Sequence, residues 1–255
     1  MPALEEDNAP AVARSRAKKE RKEPRAKPVG GSGTVGARLF DYIREHELGA
    51  NLMADTPFGR RPMLYADYTA SGRALGFIEE YVRDVVLPTY GNTHTLASRT
   101  GRQSSAFVSE ARRMVKEYVK CNSERSTDAD QLLFIGAGCT SCANHLVRML
   151  GLECAPDRRP AARALPDDQR PIVFVGPYEH HSNLLPWRDS AADVVQIDEG
   201  PGGGPDLAQL EAALKAASRR PLRVGAFSAA SNVTGILTDT DAVTAMLHTH
   251  GACHV

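Results

Sequence analysis

Long apolar runs are missing from this chain. None approaches the roughly 20 residues that a membrane-spanning helix needs, and the N-terminus lacks the short apolar core of a secretory signal, so a soluble chain with no membrane partner is expected. A net charge is missing too: Lys+Arg and Asp+Glu both total 31. No overall field steers the chain towards nucleic acid, and partners have to be read from individual sites. Cysteine is sparse, with Cys121, Cys139, Cys142, Cys154 and Cys253 dispersed along 255 residues. An odd, scattered set argues against a disulfide framework and for a reducing compartment, the cytoplasm or an organelle interior. No second C-x-x-C or C-x-x-H of suitable spacing follows Cys139 and Cys142, so no metal site is expected. No internal repeat or heptad pattern offers an architecture of its own.

What is present is enough hydrophobic sequence, 42% of residues, for a sizeable core. Residues 1–34 are set apart: the block ARSRAKKERKEPRAKP followed by GGSG has no period that could bury a face, and it reads as a disordered basic tail. Glu5, Glu6, Asp7, Glu20 and Glu23 argue against an organelle presequence there. From residue 35 to 255 one folded domain is expected. VGARLFDYIREHEL, LGFIEEYVRDVVL and SAFVSEARRMVKEYVK carry helical spacing. QLLFIG, PIVFVG, ADVVQI and PLRVGAFS are apolar runs of strand length, separated by CANHLVRMLGL, NLLPWRDS and DLAQLEAALKAAS with helical period. That alternation predicts an α/β fold, a three-layer αβα arrangement with a mainly parallel sheet. The last helix, DAVTAMLHTH, is predicted to be capped at Thr238 and stopped by Gly251. A new strand opens at Ala252 just before the chain ends, which predicts an incomplete sheet and hence a fragment.

Four segments carry polar chemistry. In IGAGCTSCANHLV, Gly136 and Gly138 let the backbone approach a ligand, and Cys139, Thr140 and Ser141 fall at the positive end of a helix, which makes an anion cradle. The same residues also read as an ordinary small-residue turn. Cys139-Thr-Ser-Cys142 is a C-x-x-C at a helix start, the setting of a redox-active thiol, so a thiol redox protein is one alternative function. In VFVGPYEHHSNLLPW, His180 and His181, bracketed by Glu179 and Asn183, follow a predicted strand where α/β sheets bind ligands. Either imidazole could stack on a flat ring or move a proton. FSAASNVTGILTD brings Asn232 to another strand end, where it could donate to a ligand or serve a turn. LYADYTASGRAL and PTYGNTHTLASRTGR, with Arg73 and His94, look site-forming rather than merely connecting.

Taken in order from Tyr65 to Val255, these pieces resemble the class V aminotransferase family of fold-type I pyridoxal-phosphate enzymes, in particular its cysteine desulfurase and selenocysteine lyase branch. YADYTASGR resembles the family's amino-terminal strand and turn, GNTHTLASRTG its Asn-x-His loop, IGAGCTSCANHLV its phosphate-binding turn, EHHSNLLPW its ring-stacking segment and SNVTG its Asn-bearing loop. The resemblance implies the large domain of that fold, incomplete at its C-terminus, with pyridoxal 5′-phosphate as cofactor. Gly138, Cys139 and Thr140 would hold the cofactor phosphate. His180 would stack on the pyridine as the catalytic histidine, Asn232 would contact the phenolic oxygen, and His94 would approach the substrate. A small amino-acid substrate and a homodimer are implied as well. Cys139 stands where the pattern has Thr, which explains the C-x-x-C as loop variation.

The family's ring-nitrogen Asp and Schiff-base Lys would follow the HGA-type helix end and are expected beyond Val255. Lys18, Lys19, Lys22 and Lys27 lie in the tail, Lys116 and Lys120 on an amphipathic helix, and Lys215 in ALKAAS, all poor settings for a desolvated amine. The expectation is a lyase, desulfurase or transaminase represented by an N-terminal fragment that is inactive alone. A non-catalytic remnant that binds partners is the other alternative.

Overall fold

The computed structural model describes residues 35–121 and 130–255; the basic tail lies outside the described residues. The chain divides into two compact units, one ending at Tyr90 and one running Gly91–Val255.

In the first unit, α1 (Val35–His46) is followed by the antiparallel pair β1 (Met53–Thr56) and β2 (Gly59–Pro62), then by α2 (Gly76–Tyr81). The helical path continues as a π-helical stretch over Val82–Val86 and a 3-10 turn over Leu87–Thr89. The hairpin was not expected from the sequence, and YADYTASGR forms a turn rather than a strand. Tyr65 Oη donates to the Ser71 carbonyl at 2.6 Å, closing that turn. Arg73 pairs with Glu47 at 3.3 Å and its guanidinium lies over the Tyr65 ring. Tyr68 is held above the usual phenol range, chiefly by its hydrogen bond with the Glu47 side chain.

The second unit opens with α3 (Arg99–Tyr118), capped by Ser98 Oγ, which accepts from Gly101 N at 3.0 Å. There follow α4 (Gly138–Met149), α5 (Arg159–Arg163), β3 (Ile172–Val175), α6 (His181–Arg188), β4 (Asp193–Gln196), α7 (Leu207–Ala216), β5 (Arg223–Ala226), α8 (Thr240–Thr249) and β6 (Cys253–His254). The strands form one parallel sheet in the order β4-β3-β5-β6. A parallel sheet is covered on both faces, and the run Ile172–Val175 is accordingly buried at every position. Alternate side chains of β3 enter two cores. Ile172 and Phe174 pack with Leu210, Leu214, Val243 and Leu247 of α7 and α8. Val173 and Val175 pack with Val224, Ala226, Trp187 and Val147 on the side of α4 and α6. This is the predicted three-layer αβα architecture. At the amino-terminal strand ends, Asp193 accepts Arg170 Nε at 2.9 Å and pairs with Arg220 at 2.8 Å, tying β4 to the connections entering β3 and β5.

Two sequence expectations are corrected. QLLFIG forms no strand: Arg112 Nε donates to the Leu132 carbonyl at 3.1 Å and Leu133 and Phe134 are exposed, so α3 side chains rather than a ladder hold this segment. The cap of α8 is Asp239, not Thr238; its Oδ1 accepts Ala242 N at 3.0 Å, while the Thr238 hydroxyl is turned to the Ser228 carbonyl, to which it donates at 2.7 Å. Gly251 does end α8, at φ +67°, with Ala252 N donating to the Leu247 carbonyl and Gly251 N to that of His248.

Candidate functional site

The carboxyl ends of β3 and β5 face the same side of the sheet, and the polar segments lie just beyond them. After Val175 the chain passes through Gly176, Tyr178 and Glu179 into α6, whose N-cap is His180. His180 Nδ1 accepts the Ser182 backbone N–H at 3.1 Å and lies 2.9 Å from Ser182 Oγ. An Nδ1 that accepts an amide proton leaves the proton of the neutral ring on Nε2. Thr140 Oγ1, on α4, donates to Ser182 Oγ at 3.0 Å. The consistent direction is a relay in which Thr140 donates to Ser182 and Ser182 donates to His180. A cavity of about 210 Å³ opens beside it, lined by Thr140, Asn144, His180, His181 and Ser182 among others.

The start of α4 faces the same cavity through Thr140. Ala137 and Gly138 are both left-handed, at φ +60° and φ +70°. Ala137, the N-cap, makes no side-chain cap bond, so among the described residues the first-turn N–H groups are left for a ligand or water. Among the described residues, nothing lies within 4 Å of where a Cβ on Gly138 would be. Left-handed Ala137 costs about 1–2 kcal/mol relative to a right-handed residue, an expense usually seen where a loop must aim its amides.

Glu179 sets the shape of the neighbouring wall. Its carboxylate accepts from Gly176 N at 3.2 Å, from Asn183 Nδ2 at 2.8 Å, and from Ser228 N and Oγ at 2.7 and 2.6 Å. Asn183 Oδ1 in turn accepts the indole N–H of buried Trp187 at 3.2 Å. The loops after β3 and β5 are thereby joined. Tyr178 is raised above the usual phenol range, mainly by burial and then by its hydrogen bond with Glu199.

Of the residues singled out in the sequence, the structure brings Thr140 and His180 together through Ser182. Gly138 and Cys139 precede Thr140 on the same helix turn, and Cys139 is exposed. Asn232 is exposed in the loop after β5, next to buried Ser231, whose hydroxyl accepts from Val233 N and Thr234 N. His94 is exposed on the loop before α3; its backbone N–H donates to Asn92 Oδ1 at 3.3 Å. Neither His94 nor Asn232 lines the cavity beside His180. Sequence reasoning missed Ser182 as the link, because a contact 42 positions from Thr140 leaves no local pattern. It noticed Glu179 and Asn183 only as brackets; their i, i+4 spacing was the available sign that they would meet.

A parallel sheet covered on both faces, with a helix start and a histidine beyond its carboxyl edge, is the α/β arrangement that places ligands outside the strand ends. The sequence pattern described as Aminotransferase class-V matches residues 64–255, and the chain belongs to that family. A protein of Pyrococcus abyssi named "Probable cysteine desulfurase" is 26% identical over 197 residues, covering 76% of this chain and 43% of that protein. The cysteine desulfurase CsdA of Escherichia coli shares the fold at a TM-score of 0.53 and 21% identity, covering 75% of this chain and 43% of its own. A NifS-like protein of Rickettsia africae does so at 0.57 and 16%, covering 75% and 46%. The chain thus spans less than half the length of these relatives.

Proposed function

We propose that this chain is the cofactor-holding portion of a pyridoxal-phosphate enzyme of the cysteine desulfurase-like branch, acting on a small amino acid. The observation that supports it most is the Thr140–Ser182–His180 relay set against an uncapped helix start. The residues fit the group: first-turn N–H groups, a left-handed glycine with open space beside it and a hydroxyl suit a phosphate, and an imidazole face at the strand edge suits a pyridine.

Bound there, the cofactor would supply an electron sink for charge developing on the substrate's α-carbon. The first turn of α4, with Gly138, Cys139 and Thr140, would bind the phosphate and so orient the ring. His180, its Nδ1 engaged by Ser182, would present its face to the ring and hold a proton at Nε2. Asn232 would donate to the phenolic oxygen and His94 would serve the substrate side. Among the described lysines, Lys116 donates to the Asp130 carbonyl and Lys215 pairs with Glu211 at 2.6 Å. On the family resemblance, the anchoring lysine and the ring-nitrogen aspartate would lie in the part of the relatives' length that this chain does not span, and a second copy would complete the site.

Titration of the chain with pyridoxal 5′-phosphate tests the cradle. Saturable binding that inorganic phosphate displaces is expected, weakened about tenfold in Thr140→Val, because on binding the Thr140 hydroxyl would turn its one proton from Ser182 to the phosphate and a hydrogen bond to a charged group contributes about 1.5 kcal/mol. Binding that does not saturate, or that phosphate leaves untouched, rejects it. Sulfide release from cysteine by the longest reading frame containing this sequence tests the reaction class, and its absence would move the assignment to another amino-acid reaction.

A further inference from the structure

Cys139 and Cys142 lie near the start of α4, both exposed and both free thiols. Helical residues three apart share a side of the helix, and ordinary helix dimensions put their Cα atoms about 5 Å apart. A disulfide spans about 4.4–6.8 Å between Cα atoms. Thr140, which holds Ser182 at the cavity, sits between the two cysteines.

We propose that Cys139 and Cys142 form a thiol–disulfide site whose closure weakens the grip of the α4 cradle on a phosphate group. The proposal rests on the cofactor reading above for what the cradle holds. The oxidant is a small-molecule disulfide such as oxidised glutathione. One cysteine thiolate attacks it, forming a mixed disulfide and releasing one glutathione thiol. The second cysteine then displaces the other glutathione, so two protein thiols are oxidised to one Sγ–Sγ bond and the two electrons and two protons leave as two reduced glutathiones. Closure removes the Cys139 S–H donor and locks the turn that carries Thr140. By linkage, a phosphate group in the cradle protects the pair from oxidation by the same factor.

The test treats the full chain with oxidised glutathione, with and without pyridoxal 5′-phosphate. The expected result is a fall in free thiols from five to three, a mapped peptide linking Cys139 to Cys142, and pyridoxal-phosphate binding about fivefold or more weaker in the oxidised chain. The cofactor should raise the oxidised glutathione required by the same factor. Cys142→Ser keeps Cys139 in the cradle and should stop at the mixed disulfide, read as one glutathione retained by mass and no linked Cys139–Cys142 peptide. Retention of five thiols, a disulfide mapped to another pair, or equal cofactor binding in the two redox states overturns the proposal. Failure of the reduced chain to take up the cofactor overturns the cofactor reading instead. The two failures are distinguishable because thiol count and peptide map are read without cofactor, and the coupling is then measured with inorganic phosphate.

Discussion

Glu179 takes hydrogen bonds from Gly176, Asn183 and both the backbone and hydroxyl of Ser228, so one carboxylate fixes the spacing of two loops. Glu179→Ala leaves those donors unpaired and is expected to destabilise the second unit by about 2 kcal/mol, read as a lower urea midpoint. Glu179→Gln should also destabilise, because its amide NH₂ would face donors; wild-type midpoints in both variants would show that the contacts contribute nothing. His254 tests a second residue-level effect. Burial, helped by the charge of His248, holds its imidazole below the ordinary histidine range. The unfolded chain then binds more protons than the folded one in the window from about 6.5 down to the lowered folded value. Stability from this group is complete above about pH 6.5 and is lost as pH falls through that window. His254→Asn should flatten the acid limb of a midpoint-versus-pH curve, and an unchanged limb would assign it to other groups.

At the scale of elements, β5 meets α8 through a missing side chain. A Cβ on Gly225 would overlap Leu247, its nearest atoms being the two Cδ carbons. Gly225→Ala is expected to cost about 1–3 kcal/mol by overpacking, measured by thermal or urea unfolding; relief by a second change, Leu247→Ala, would locate the strain. The parallel strands β3, β4 and β5 were legible in the sequence, since an apolar run such as IVFV suits a doubly covered strand of that length. QLLFIG looked the same and failed, because hydrophobicity marks what wants burial while a strand also needs a neighbour to pair with. The cap of α8 slipped by one residue for a related reason: Thr238 and Asp239 are both good caps, and only the fold turns the Thr238 hydroxyl towards Ser228 and leaves Asp239 facing the first-turn N–H of Ala242.

Across the whole molecule the two units differ in how much they bury. No residue described before Gly91 is fully buried, and Leu39, Phe40, Phe58, Leu64 and Leu87 are exposed there. The second unit encloses Trp187, the chain's one tryptophan, completely. Tryptophan fluorescence should therefore report a cooperative transition of the second unit alone, while far-UV circular dichroism should show an additional component at lower denaturant from α1 and α2. Coincident transitions by the two probes would mean the units unfold together.

Periodicity, strand-length apolar runs and turn residues by themselves determined the α/β class, most of the strands and the segments that carry the site, because each depends on neighbours a few positions away. Thr140, His180 and Asn232 could be nominated from their segments for the same reason. Only the tertiary structure decided that Ser182 joins Thr140 to His180 and that Glu179 joins the β3 loop to the β5 loop. Those hydrogen bonds link residues 42 and 49 positions apart, and such pairings exist only once the parallel sheet has brought the ends of its strands together.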